Sequence, residues 1–166
     1  MIADLWARIK PHDAAIVQDF LAAPPVKVGA LAEALGLKVI RSPMSPKISG
    51  LIKPSDAAPA GFEIRVNKFE VAVRQRFTVA HELAHYLLHK DSIGAGVIDN
   101  VLYRSNLTSG KETEANRLAA EIIMPAPAVS HELEAHGGMR TPEIAEQLAR
   151  LFRVSTPAMK VRLGIP

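Results

Sequence analysis

Cysteine is absent from the 166 residues, which removes disulfides, thiolate nucleophiles and cysteine-based zinc sites together. Any metal must therefore be held by His, Asp or Glu. A dense load of positive charge is missing too: 20 Lys and Arg against 17 Asp and Glu leave a formal charge of +3, well short of what nucleic-acid binding along the whole chain calls for. The first residues, MIADLWARIKPHDAAIVQDF, carry acidic groups early and no uninterrupted apolar run. They fit neither a signal peptide nor a membrane span, so no membrane association is expected and the cytoplasm is the expected location. There is no internal repeat and no low-complexity tract.

What is present is ordinary for a globular chain, with 48% hydrophobic and 22% charged residues. The length suits one domain, 1–166, with a sizeable core. Residues 1–36 read as short helices, Ile2 to Ile9, Asp13 to Leu21 and Val28 to Leu35, interrupted by Pro24 and Pro25. Between 37 and 69 the period changes. KVIRSPM, KISGLIKP and GFEIRVN are rich in Val and Ile and separated by Pro, Ser and Gly, which predicts a small three-stranded antiparallel sheet. Pro43, Pro46 and Pro54 mark turns or strand ends, so a strand at Ile48, Ser49, Gly50, Leu51 and Ile52 is expected at or near an edge.

Over 70–125 the helical period returns on both sides of a long connection. Phe77, His81, Ala84, His85 and Leu88 fall on one stripe of a helix ending near His89. Residues 90–111 are weakly periodic, and so long a connection inside a compact domain tends to be functional or mobile. ETEANRLAAEIIMP then reads as a helix stopped by Pro125, with Glu112, Asn116, Ala119, Ala120 and Ile123 on one face. A polar linker around HGGMRT leads to a helical pair over 140–166. The class is α+β and mainly helical.

The chemistry concentrates in HELAHYLLH, residues 81–89. His81-Glu82-Leu83-Ala84-His85 matches H-E-x-x-H in the helical setting that motif requires. Imidazoles at i and i+4 sit one turn apart and can share one Zn²⁺ at about 2.0–2.1 Å, with Glu82 placed to work on water without being a ligand. A catalytic zinc wants a third protein ligand and an open position. His89, at i+8 and about 12 Å along the axis from His81, is too far to close on the same ion. It reads instead as an exposed histidine at a helix end. Asp91 would need the helix to stop earlier, where Leu88 stands. Glu112 is better placed, beside alanines that let two helices approach closely. Asn116 shares its face and is a candidate to orient a ligating histidine. Glu114 faces elsewhere.

RQRFTVAHELAHYLLH (74–89) followed by ETEANRLAAEIIMP (112–125) closely resembles the ImmA/IrrE family of zinc metallopeptidases, whose members typically show R-x-R-F-T-x-A-H-E-L-G-H and then E-x-E-A-N-x-F-A-A-x-L-L-M-P. SGLI, EIRVN and LARLFRVSTPAMKVRL also look like that family, so the resemblance runs from about residue 28. It implies a zincin-like, gluzincin-type site in which His81, His85 and Glu112 hold Zn²⁺ and Glu82 is catalytic. Ala84 replaces the usual glycine and Leu118 the usual phenylalanine. Neither the separate N-terminal helix-turn-helix nor the large C-terminal sensor domain of some relatives is read in this chain.

The implied activity is hydrolysis of peptide bonds in a regulatory protein, by family analogy a helix-turn-helix repressor or an antitoxin. The alternative is a zinc-bound, non-proteolytic module that pairs with a transcription regulator. Substrate is expected to add as a strand near Ile48 to Ile52, and Tyr103 and His136 are the candidates to stabilise the oxyanion. The last segment has the spacing of a helix-turn-helix and carries only basic charges. Its turn position is Arg153 rather than glycine, however, and Met159 and Leu163 read as core, so direct DNA contact is not expected.

Overall fold

A computed structural model describes residues 1–94, 97–100 and 109–166. Three short helices open the chain: α1 (Ile2–Arg8), α2 (Pro11–Asp19) and α3 (Val28–Ala34). Strands β1 (Lys38–Ser42), β2 (Ile48–Pro54) and β3 (Phe62–Asn67) follow, then α4 (Ala72–His89) and a 3₁₀ turn at Lys90–Ser92. A fourth strand, β4 (Val97–Asn100), precedes α5 (Ser109–Ile123), α6 (Ala126–Ala135), α7 (Pro142–Phe152) and α8 (Thr156–Leu163). The architecture is α+β and mainly helical, as the sequence pattern predicts. Among the described residues no helix is long and apolar enough to cross a membrane.

The sheet differs from the expected antiparallel meander in two ways. Its order is β1-β3-β2-β4, with β1 parallel to β3 and the other pairs antiparallel. The chain does not turn back from β1 into a hairpin. Asn67, at the end of β3, donates its side-chain amide to the carbonyls of Met44, Ser45 and Ile48 at 3.4, 3.1 and 2.9 Å. That clamp carries residues 43–47 across the end of β3 and delivers β2 to its far side. The second difference is β4, which pairs with β2 through Ile48↔Asn100, Gly50↔Asp99, Leu51↔Ile98 and Ile52↔Val97. The segment Ile48 to Ile52 is thus not an edge, because the connection after α4 returns to cover it.

Helix α4 is the hub. It packs on α5, on α3 and on both β2 and β3, and Val79, Ala80, Leu83, Ala84, Tyr86 and Leu87 are all buried. From Thr78 onward nearly every residue of the helix is buried, polar ones included, so its second half runs inside the molecule. It approaches the sheet tightly at Gly50: a Cβ there would stand 2.5 Å from Thr78 Cγ2 and 2.7 Å from the Arg65 carbonyl oxygen. The register shift between Ile48 and Gly50 gives β2 a local irregularity at buried Ser49. The Ser49 hydroxyl donates to Glu70 Oε2 and accepts from Arg74 Nη2, each at 3.3 Å, which braces the strand against the start of α4.

Arg76 joins α4 to distant segments. Its guanidinium donates to the carbonyls of Val26 (2.9 Å), Arg153 (3.2 Å) and Phe152 (3.3 Å). Two of these sit at the end of α7, where a helix leaves carbonyls without partners of its own. The C-terminal pair is capped in sequence-readable ways: Thr141 accepts from Ile144 N at 3.3 Å and Ser155 from Ala158 N at 3.2 Å. Arg153 adopts a left-handed conformation, φ 53°, where the sequence pattern usually has glycine. Met159 and Leu163 are buried, as expected. Helix α6, whose start Glu121 caps by accepting from Ala126 N at 3.0 Å, has no counterpart in the sequence reading.

The contact at Gly50 makes a direct prediction. Gly50→Ala must push β3 and α4 apart, and overpacking of this kind costs about 1–3 kcal/mol. Urea unfolding of the variant should show a lower midpoint with an unchanged slope; an unchanged midpoint would mean the α4–sheet approach is looser than described.

Candidate metal centre

Three of the expected residues converge. His81 Nε2 and His85 Nε2 lie 3.0 Å apart, Glu112 Oε2 is 3.3 Å from the first and Glu112 Oε1 is 3.2 Å from the second. The two histidines come from successive turns of α4, with ring centroids 4.6 Å apart and planes at 89°. Glu112 comes from the first turn of α5 and spans both rings with its carboxylate. The approach of α5 is made possible by small residues: Ala115 and Ala119 are fully buried between the helices, with Leu118 and Ile122 completing the stripe. Both histidines are almost inaccessible, at 3% and 0% exposure.

This donor set suits a cation. Two ring nitrogens and a carboxylate are electron-rich atoms brought within contact distance in a buried place, where unbalanced polar groups are costly. Ligand atoms of a tetrahedral ion bound at about 2.0–2.1 Å stand about 3.3–3.4 Å from one another. The observed separations of 3.0 to 3.3 Å are close to that spacing. Among the described residues these three are the group able to hold a metal ion. Glu82, between the two histidines in sequence, is fully buried on α4.

The surroundings of the site correct the sequence reading at two places. His89 is not an exposed helix end: it is 4% exposed, and its Nδ1 lies 3.1 Å from Nδ1 of His85. Beside it stands Glu114, with Oε2 at 3.5 Å from His89 Nε2 and hydrogen-bonded to Arg8 of α1. The reason is the face α5 presents. The buried stripe is Ala115, Leu118, Ala119 and Ile122, so Glu114, one turn before Leu118, borders the interface. Asn116 is exposed, and the far nitrogen of His85 meets His89 instead. The stripe itself is the sequence signal for Glu114; the distant partner Arg8 leaves none.

Burial, followed by the neighbouring His85, pushes the His89 imidazole down to about 4 against the opposing pull of Glu114. Burial alone would raise the Glu114 carboxyl, but the hydrogen bond and charge of Arg8, helped by His89, hold it below the usual carboxylate range. The pair is therefore a neutral ring facing an anion at neutral pH.

Other expected residues fall elsewhere. His136 ends α6, its Nδ1 2.9 Å from the Glu132 carbonyl oxygen and its Nε2 3.2 Å from Gln147 Oε1. Tyr103 lies outside the described residues. Asp91 is exposed in the 3₁₀ turn.

Comparison with known proteins follows the same residues. Residues 32–164 match the peptidase family described as the IrrE N-terminal-like domain. The chain is 35% identical over 86 residues to the radiation response metalloprotease IrrE of Deinococcus radiodurans, a stretch that covers 51% of this chain and 26% of that protein. A solved Mycobacterium tuberculosis transcriptional regulator shares the fold, with a TM-score of 0.58 and 16% identity over 98% of this chain and 49% of that one. The chain thus spans about a quarter of the first relative and about half of the second.

Metal removal provides the check on the site. A divalent ion supplied at about 100 times its dissociation constant should stabilise the fold by about 2.7 kcal/mol. Calorimetry should show the gain reversed by a chelator, absent in His85→Ala, and kept in a variant of exposed His131.

Proposed function

The chain belongs to the peptidase family of the IrrE N-terminal-like domain, and on that premise we propose that it is a zinc endopeptidase of the H-E-x-x-H…E type. In this reading His81, His85 and Glu112 hold Zn²⁺, and Glu82 is the general base and acid. The observation that carries it is the Glu112 carboxylate set across both imidazoles, 3.3 and 3.2 Å from their Nε2 atoms. A metal-binding set of two histidines and one carboxylate leaves a coordination position open, as catalytic zinc sites do.

Zinc, when bound, supplies a Lewis acid for water activation and carbonyl polarisation. The protein's own groups do the rest. Glu82 takes a proton from the attacking water and returns it to the amide nitrogen as the C–N bond breaks. Its fixed place on α4, one residue from His81, keeps that carboxylate at the reacting atoms without ligating. Among the described residues β4 has no partner on its outer side, while β2 is paired on both. An extended substrate therefore adds along β4, with main-chain hydrogen bonds supplying affinity.

The substrate we propose is a regulatory protein of the cytoplasm, a helix-turn-helix repressor or an antitoxin encoded beside this gene, which would place the enzyme in a stress or toxin–antitoxin response. The radiation-response relative and the shared fold of a transcriptional regulator support that setting.

Glu82→Gln separates chemistry from metal binding. The variant should keep one zinc per chain and lose about 10²–10⁴-fold in cleavage of the co-encoded regulator, followed on gels. Cleavage at the wild-type rate by a zinc-loaded variant would remove Glu82 from the mechanism.

A further inference from the structure

The buried polar contacts do not stop at the three proposed ligands. From His85 they run in one line: His85 Nδ1 to His89 Nδ1 at 3.1 Å, His89 Nε2 to Glu114 Oε2 at 3.5 Å, and Glu114 to Arg8. The rings of His85 and His89 have centroids 5.3 Å apart. Four residues from three helices, α1, α4 and α5, thus link the metal centre to the first helix of the chain. Arg8 lies before the residues matched by the family. The tie to α1 is therefore read from this chain's own contacts.

The proton positions along this line follow from one requirement. A histidine that ligates through Nε2 has no proton there, so the neutral His85 ring carries its proton on Nδ1 and donates it to His89. His89 accepts on Nδ1, which forces its own proton onto Nε2. That nitrogen faces Glu114 Oε2 at 3.5 Å, an electrostatic contact longer than a hydrogen bond, and the same carboxylate accepts a hydrogen bond from the Arg8 guanidinium. Each group has one role and each role matches its neighbour. Reversing any single donor would leave a buried lone pair facing another.

Resting on the reading of His85 as a ligand, we propose that His89, Glu114 and Arg8 are positioning residues that hold the His85 ring in its metal-binding tautomer and orientation. None of them touches the reacting atoms. The anionic end of the line makes the His85 nitrogen a better donor, as carboxylates behind ligating histidines do. Arg8 keeps that carboxylate aimed at His89 rather than into solvent. Contacts of this kind set metal affinity by about 10- to 100-fold. An arginine in the first helix is thereby made part of the strength with which the site holds its ion.

The test is zinc affinity, measured by titrating the metal-free full chain against a competing fluorescent chelator. Glu114→Ala should weaken zinc by about 10- to 100-fold. Arg8→Ala should weaken it less, and Arg8→Lys should recover most of the loss, whereas Arg150→Ala, at an exposed ion pair on α7, should change nothing. His89→Phe keeps a ring but removes both nitrogens and should match Glu114→Ala. If that buried variant does not fold, the Glu114 and Arg8 variants carry the test, since both sites are partly exposed. A second readout is the hydrogen-bonded ring N–H of His85, a protected downfield proton in the zinc form that should shift in Glu114→Ala. Wild-type affinity in both Glu114→Ala and Arg8→Ala, with the wild type holding one zinc, would overturn this proposal alone. A wild-type chain that takes up no zinc would overturn the metal reading and this proposal with it.

Discussion

The contact between the Glu112 carboxylate and two buried imidazoles is the constraint around which the rest of the structure is arranged. Burying polar side chains beside the apolar stripe of Ala115, Leu118 and Ala119 is costly unless they satisfy one another. Satisfying them fixes how α5 lies along α4. Small residues at Ala84, Ala115 and Ala119 bring the two helices close enough for a short carboxylate to reach both rings. The sheet is placed by the same helix, because α4 presses on β2 where Gly50 gives up its side chain. Site and core are therefore one construction, with packing setting the distance and polar pairing setting the register.

Much of this was legible in the sequence, and the reasons differ by element. His81, Glu82 and His85 are visible because an i, i+4 pair on an apolar stripe has one geometric meaning. Glu112 is visible because helix faces can be projected and its face carries small residues. His89 departs from the reading of an exposed helix end because Glu114 of α5 stands over it, and Asn116 departs from its expected role because the buried stripe of α5 is centred on Ala115 and Leu118. A shift of about 100° in a helix face follows from a one-residue error in its centre. Arg8 was beyond reach, since a contact 106 residues apart leaves no local trace.

The sheet shows the same boundary between local and long-range information. Strand positions came from composition and turn residues, and these held. Pairing order did not, because it depends on Asn67 gripping residues 44, 45 and 48, and on a strand contributed from within a connection that reads as featureless. The consequence is functional. Among the described residues the outer strands are β1 and β4, so the edge proposed for an extended peptide moves from β2, before α4 in sequence, to β4 after it. Helix α6 went unread for a related reason: two prolines near its start look like a break, yet Pro at the first helical positions is well tolerated.

The proposed zinc ion lies between His81, His85 and Glu112, where anomalous diffraction at the zinc absorption edge would reveal it. The expected result is a single strong peak with two imidazole nitrogens and a Glu112 oxygen at about 2.0–2.1 Å, and with His89 one ring removed from the ion. A peak ligated by His89 in place of Glu112, or crystals grown with zinc that show no peak at these residues, would contradict it.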